Sequence, residues 1–147
     1  MKTILLFVLL GFGSGCLAAE TDAPPTEVIY LEHAKVDGAF SKGLPLISNN
    51  RNFKIHASRR VMAGIVEIHE HDTDIFHVVE GTATLVTGGT LVDPSTLGPG
   101  EIRAKVSTGG IAHHLAKGDV IVIPKGVPHW FQEVSETFLY LTVRVTY

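Results

Sequence analysis

The stretch EIHEHDTDIFHVVEG, residues 67–81, crowds histidines and carboxylates against large apolar side chains. On a β-strand alternate side chains share a face, so Glu67, His69 and His71 would line one side while Ile68 and Glu70 line the other. Neutral imidazole and carboxylate in one place suit zinc, iron, manganese, nickel or copper, and the charge of such an ion would offset the burial of an ionised acid. The same stretch also reads as a solvated hairpin turn, because His71, Asp72, Thr73 and Asp74 form the kind of polar run found at exposed turns. A second element has to separate the two readings.

That element is AKGDVIVIPKGVPHWF, residues 116–131. A tight turn at Gly118 and Asp119 leads into an apolar run, and Pro124, Gly126 and Pro128 then bend the chain before His129. Val127, Trp130 and Phe131 flank this histidine, so burial is expected, either as a satisfied core histidine or as a ligand.

Through Gly118, Pro124, Gly126 and His129 the chain resembles the cupins, a family of double-stranded β-helix proteins. One cupin motif is a His-x-His pair followed by an acid and a glycine; the other is Gly…Pro-x-Gly-x-x-His, which these four residues match. Asp74 and Gly81 match the acid and closing glycine of the first motif, with Asp in place of the usual Glu. The likeness runs from Val61 to Val145, and TDIFHVVEG, TGGT and GDVIVIPKGVPHWF look like segments of small single-domain bacterial cupins.

The resemblance implies an all-β cupin jelly-roll barrel and one divalent transition metal held by His69, Asp74 and His129, with either His71 or Glu67 completing the set. If His69 and His71 form the pair, only Asp72 and Thr73 separate it from Asp74, one residue short of the family's shortest usual spacing. If Glu67 and His69 form it, residues 70–73 give a normal spacing. His113 shares parity with Leu115 and is a further candidate to point inward, with His114 facing out. The fold hosts dioxygenases, isomerases, lyases and non-enzymatic binders. The expectation is a metalloenzyme acting on a small oxygenated molecule, with a non-catalytic ligand- or metal-binding module as the alternative.

The elements that must position these residues read as short apolar runs broken by turns. Candidate strands are Val28 to Leu31, Phe53 to His56, Val61 to His69, Ile75 to Val79, Thr82 to Thr87, Ile102 to Val106, Ile111 to Ala116, Val120 to Ile123 and Phe138 to Val145. Many β-branched runs separated by glycine pairs argue for an all-β sandwich or barrel. One short helix is expected over Glu32 to Lys42, where His33, Val36 and Phe40 recur at near-helical spacing before Gly43 and Pro45. Phe76, Val78, Phe131 and Leu141 are expected to line the barrel. Val28 to Leu31 and Phe138 to Val145 could pair across a homodimer.

With 147 residues and 45% hydrophobic composition, one domain with one core is expected, over residues 28–147. Twelve basic against fifteen acidic side chains, with no basic cluster beyond Arg59 and Arg60, argue against nucleic acid and leave a small molecule as the expected partner. Lys2, the apolar run Ile4 to Leu10 and the small residues up to Ala19 read as a signal peptide over residues 1–19, followed by a flexible tether over residues 20–27. The apolar run is too short for a membrane span. Periplasmic or secreted placement is expected, with lipoprotein processing at Cys16, the only cysteine, as the lesser alternative.

Overall fold

The computed structural model describes residues 27–48 and 50–147, so the expected signal segment, Cys16 and the tether up to residue 26 lie outside the described residues. Among the described residues one helix, α1 (His33–Lys42), precedes thirteen strands. They are β1 (Pro45–Ile47), β2 (Phe53–Arg60), β3 (Val66–His69), β4 (Asp72–Glu80), β5 (Thr82–Thr87), β6 (Thr90–Val92), β7 (Ser95–Gly98), β8 (Glu101–Ala104), β9 (Val106–Thr108), β10 (Ile111–Ala116), β11 (Val120–Ile123), β12 (His129–Val134) and β13 (Phe138–Thr146). None of the described helices is long and apolar enough to cross a membrane.

Two antiparallel sheets make the body. One has the order β1-β2-β13-β4-β11 and the other β10-β5-β12-β3-β8-β7, while β6 and β9 form a separate ribbon. Period-two alternation explains why they stack: Asp74, Phe76 and Val78 of β4 are buried on the same face as Phe138 and Tyr140 of β13. Those side chains meet Ala83, Leu85, Leu115 and Phe131 from the other sheet in one core, with Ile123 closing it. The result is an all-β double-stranded β-helix.

The helix covers the outer face of the five-stranded sheet. Ala39 and Phe40 are buried against Ala57, with Val36, Leu46, Val79, Leu139 and Leu141 around them. Gly43 ends α1 in a left-handed conformation, its N–H turned back to the carbonyls of Ala39 and Phe40. Leu141 therefore packs under the helix and not in the barrel lining, because it has the opposite parity to Tyr140.

Other expectations also need correction. Residues 28–31 form no strand and are largely exposed. The run Val61 to His69 is a strand only from Val66, because Val61 to Ile65 form a turn whose large apolar side chains are exposed. Strand β13 is hydrogen-bonded to β2 on one side and β4 on the other, so it offers no edge for a dimer.

The β4–β5 turn is set by Gly81, which has φ of 80°. A Cβ there would run into the carbonyl oxygen of Thr137 and the hydroxyl of Ser135. Gly88 also has positive φ, of 73°, but nothing lies within 4 Å of its would-be Cβ. Gly88→Ala should therefore cost about 1–2 kcal/mol, the left-handed penalty alone, and Gly81→Ala at least twice as much, as measured by urea unfolding. Equal losses would show that the turn relaxes around the added methyl group.

Candidate metal centre

Three potential ligands converge from two neighbouring strands. Glu67 and His69 share a face of β3, and His129, the first residue of β12, is registered directly opposite Glu67. One ligand atom from each of Glu67, His69 and His129 lies within 4.8 Å of the others. The His69 Nε2 to Glu67 Oε2 distance is 3.4 Å, close to the ~3.4 Å that separates two ligands of a tetrahedral ion with bonds of about 2.1 Å. The proline-rich bend delivers His129 because it is tied down: Gly126 N–H donates to the His69 carbonyl at 2.8 Å, and Lys125 N–H donates to Thr73 Oγ1 at 3.3 Å.

Both imidazoles are oriented through their other nitrogen. His69 Nδ1–H donates to the Glu101 carboxylate, with both oxygens at 2.9 Å, and Arg103 holds that carboxylate at 3.0 Å. His129 Nδ1–H donates to the Val127 carbonyl at 3.1 Å. Each ring thus turns Nε2 and its lone pair toward the same point, the arrangement that fixes a metal-binding tautomer. Burial holds the His129 pKa below its ordinary value, against the opposing pull of Val127, Asp74 and Glu67, so this ring is neutral near pH 7. Burial also opposes a charge on His69, but hydrogen bonds to Glu67 and Glu101 and the charge of Asp74 outweigh it and Arg144, and its pKa is raised.

Asp74 faces the same space from the opposite sheet, its Oδ2 lying 3.5 Å from His69 Nε2 and 3.7 Å from His129 Nε2. It is gripped by Arg144, its register partner on β13: Nε donates to Oδ1 at 2.7 Å and Nη2 to Oδ2 at 2.9 Å. Arg144 Nη2 also lies 2.8 Å from His69 Nε2, a contact in which that nitrogen accepts when the ring is neutral with its proton on Nδ1. Two imidazole nitrogens and the Glu67 carboxylate fit a divalent transition metal with open positions. The guanidinium sits on one of the required lone pairs, so an ion in this triad must displace that contact.

His71 stands apart from this cluster. The strand ends at His69, so alternation stops, and His71 is exposed in the following bend, where a Cβ on Gly100 would meet its ring. His113 shares the side of Leu115 but hydrogen-bonds Thr87, and His114 and His77 are exposed. The residues missed in sequence are those that arrive from afar: Glu101, Arg103, Arg60 and Arg144 around the carboxylates, and His56, Ser58 and Thr142 along the cavity. A signal for Arg144 was present, since in FLYLTVRVT it is the lone charge and has the parity of the core residues Phe138 and Tyr140.

The centre opens on a cavity of about 380 Å³, whose walls include Glu67, Asp74, His129, Arg60, Arg144, His56, Ser58 and Thr142 beside Phe76, Phe131 and Tyr140. On β2, His56 Nδ1 is hydrogen-bonded to Ser58 Oγ at 3.2 Å, and Ser58 Oγ to Thr142 Oγ1 at 2.9 Å. Arg60 donates to the Tyr140 hydroxyl at 2.9 Å and lies 4.7 Å over the Phe131 ring.

Burial would push the Glu67 carboxyl up, but the polar contact with His69 and the charges of Arg103 and Arg60 outweigh it and hold the group at about 2, from an ordinary 4.5. A depressed carboxylate stabilises the fold above its unfolded pKa and loses that contribution as pH falls toward the folded value. In metal-free protein, Glu67→Gln should cost about 3 kcal/mol at pH 7, and the gap to wild type should close between about pH 4.5 and pH 2. A gap of constant size across that range, in denaturant titrations, would mean that Glu67 contributes through shape and not charge.

Comparison with known proteins agrees with this architecture. The double-stranded β-helix protein of Klebsiella pneumoniae superposes with a TM-score of 0.54 at 19% identity, over 82% of this chain and 91% of that one. The Bacillus halodurans protein BH2720 does so with a TM-score of 0.59 at 12% identity, over 84% and 86%. The cupin domain of Cnp3 from Schizosaccharomyces pombe has a TM-score of 0.51 at 12% identity, over 71% and 60%. At such identities these neighbours speak for the fold alone. No curated protein matches the sequence. The family description "Cupin" matches residues 22–146, which takes in every strand and both motifs, and the chain belongs to the cupin family.

Proposed function

We propose that this cupin holds one divalent transition metal ion through Glu67, His69 and His129 and is a metalloenzyme for a small oxygenated molecule that enters the cavity. The observation that supports this reading is the convergence of two Nε2 lone pairs and a carboxylate within 4.8 Å, with both rings fixed from behind. A bound ion would supply Lewis acidity for a carbonyl or hydroxyl oxygen.

The chain's own groups do the rest. Glu101 keeps the His69 proton on Nδ1. The Tyr140 phenol, raised by burial, stays protonated and can donate toward the cavity. His56 is neutral near pH 7, since burial and then Arg144 lower its pKa, so its ring can accept a proton from a molecule beside it. Phe76, Phe131 and Tyr140 keep water from one side of the cavity.

A second reading, a non-catalytic binding module, is favoured by one observation: Arg60, Arg103 and Arg144 already balance Glu67, Glu101 and Asp74, so the centre is electrically compensated without an ion. On the strength of residues 1–19 we also place the mature protein outside the cytoplasm.

Elemental analysis of purified protein should find about one transition metal ion per chain, lost in His129→Ala and retained in His71→Ala. Glu101→Gln should weaken metal affinity by roughly 10–100-fold, measured by competition with a chromogenic chelator. Metal-dependent turnover in a screen of small hydroxy and keto compounds would support the enzyme, and bound metal without turnover would favour the binding module. Protein that takes up no metal under any loading would overturn the triad.

A further inference from the structure

We infer that two copies of the chain associate by exchanging N-terminal arms, Val28, Ile29 and Tyr30 of each copy lying on the open outer face of the five-stranded sheet of the other. Neither the metal nor the cavity is involved, since this face is on the opposite side of the sheet from Asp74 and Arg144.

An antiparallel sheet with one face on the core and the other in water alternates apolar-in with polar-out. This sheet breaks that rule on its outer side. In register across β2, β13, β4 and β11, the outward row is Ile55, Val143, Ile75 and Val122. The row beside it toward the chain's Phe53 end is Phe53, Val145 and Thr73, and the row on the other side is Ala57, Leu141, His77 and Val120. None of the three rows holds a lysine, an arginine or an acid. Helix α1 accounts for Ala57 and Leu141, but the cluster it closes does not extend to the Ile55 row. At the β11 end, Val120 and Val122 are 62% and 56% exposed. A contiguous apolar patch of this kind marks a surface that meets a partner.

The same chain carries the apolar segment that such a face requires. Val28, Ile29 and Tyr30 are 95%, 46% and 81% exposed and form no strand, although they lead straight into α1, which rests on this sheet face. The arm does not fold back on its own sheet, so the face it covers belongs to another copy. A two-fold axis gives each copy one arm to donate and one face to be covered, which closes the assembly at two. Strands about 4.8 Å apart and side-chain rows about 6.8 Å apart give the open part of the face roughly 300–400 Å². Arm and face buried in both directions then amount to roughly 600–800 Å² per partner, the range of stable specific interfaces.

The test is sedimentation velocity and light scattering of the purified protein over a wide range of concentration. Wild type should be a dimer that dissociates on dilution. Tyr30→Glu, which charges the arm, and Val122→Lys, which charges the face, should each weaken the dimer roughly tenfold or more. Both positions are exposed, so the circular dichroism should stay that of wild type; Tyr30→Ser and Val122→Thr take their place if a charge unfolds the chain. Ile111→Lys, at an exposed apolar position on the other sheet, should leave the dimer unchanged. Exchange itself is read by mixing: Tyr30→Glu protein keeps a sound face and Val122→Lys protein a sound arm, so the mixture should dimerise more tightly than either variant alone. A chain whose face is covered by its own residues 1–26 stays monomeric at every concentration and overturns the inference. So does a dimer that withstands either charged variant, or a mixture no tighter than its parts.

Discussion

A buried carboxylate needs donors and an opposite charge at close range, and Asp74, only 2% exposed, has both in two hydrogen bonds from Arg144. Much of the polar centre follows from that pair. It lies between the sheets beside Phe76, it directs a guanidinium nitrogen at His69, and it holds β4 and β13 in a register where both charges face inward. Around it acids and arginines alternate: Glu101 beside Arg103, Arg103 beside Glu67, Glu67 beside Arg60. The sandwich can thus carry a charged interior because no charge in it stands alone.

The same compensation shapes what the centre can do. Asp74 is committed to Arg144, so a cation is offered Glu67, His69 and His129, three ligands on rigid strands with positions left over. Arg144 touches His69 Nε2, so an ion bound there would compete with the guanidinium for one nitrogen. Uptake of an ion would then be coupled to where the Arg144 side chain rests, and through Asp74 to β4 and β13. The cavity wall beyond, with His56, Ser58 and Thr142 on one ladder and aromatic rings on the facing side, gives a molecule bound there both a polar and an apolar edge.

Much of the fold was legible because its signals are local. Thr82–Thr87, Ile111–Ala116 and Val120–Ile123 are strands at the bounds that their flanking glycines and turn residues mark, and the helix begins one residue later than its periodicity suggests. Pro45–Ile47, Ser95–Gly98 and the ribbon of β6 and β9 were missed, being only three or four residues long. Residues His129–Val134 were not among the expected strands, although they form the strand that places His129 against Glu67 just after the expected bend. In the site, spacing left His71 and Glu67 as alternatives, and only the end of β3 at His69 sets them in different surroundings. The arginines were hidden for another reason: Arg144 lies 70 residues from Asp74 and 75 from His69 in the chain, and only sheet register joins them.

The central claim is that folding brings two imidazoles and one acid to a single cation site from which Arg144 can be displaced. Crystals grown with manganese or zinc and measured at the absorption edge of that metal address it directly. The account predicts one anomalous peak about 2.0–2.2 Å from His69 Nε2, His129 Nε2 and a Glu67 oxygen, with Arg144 withdrawn from His69 and still paired to Asp74. A peak centred on His71, or none at all with Arg144 still seated on the His69 nitrogen, would contradict it.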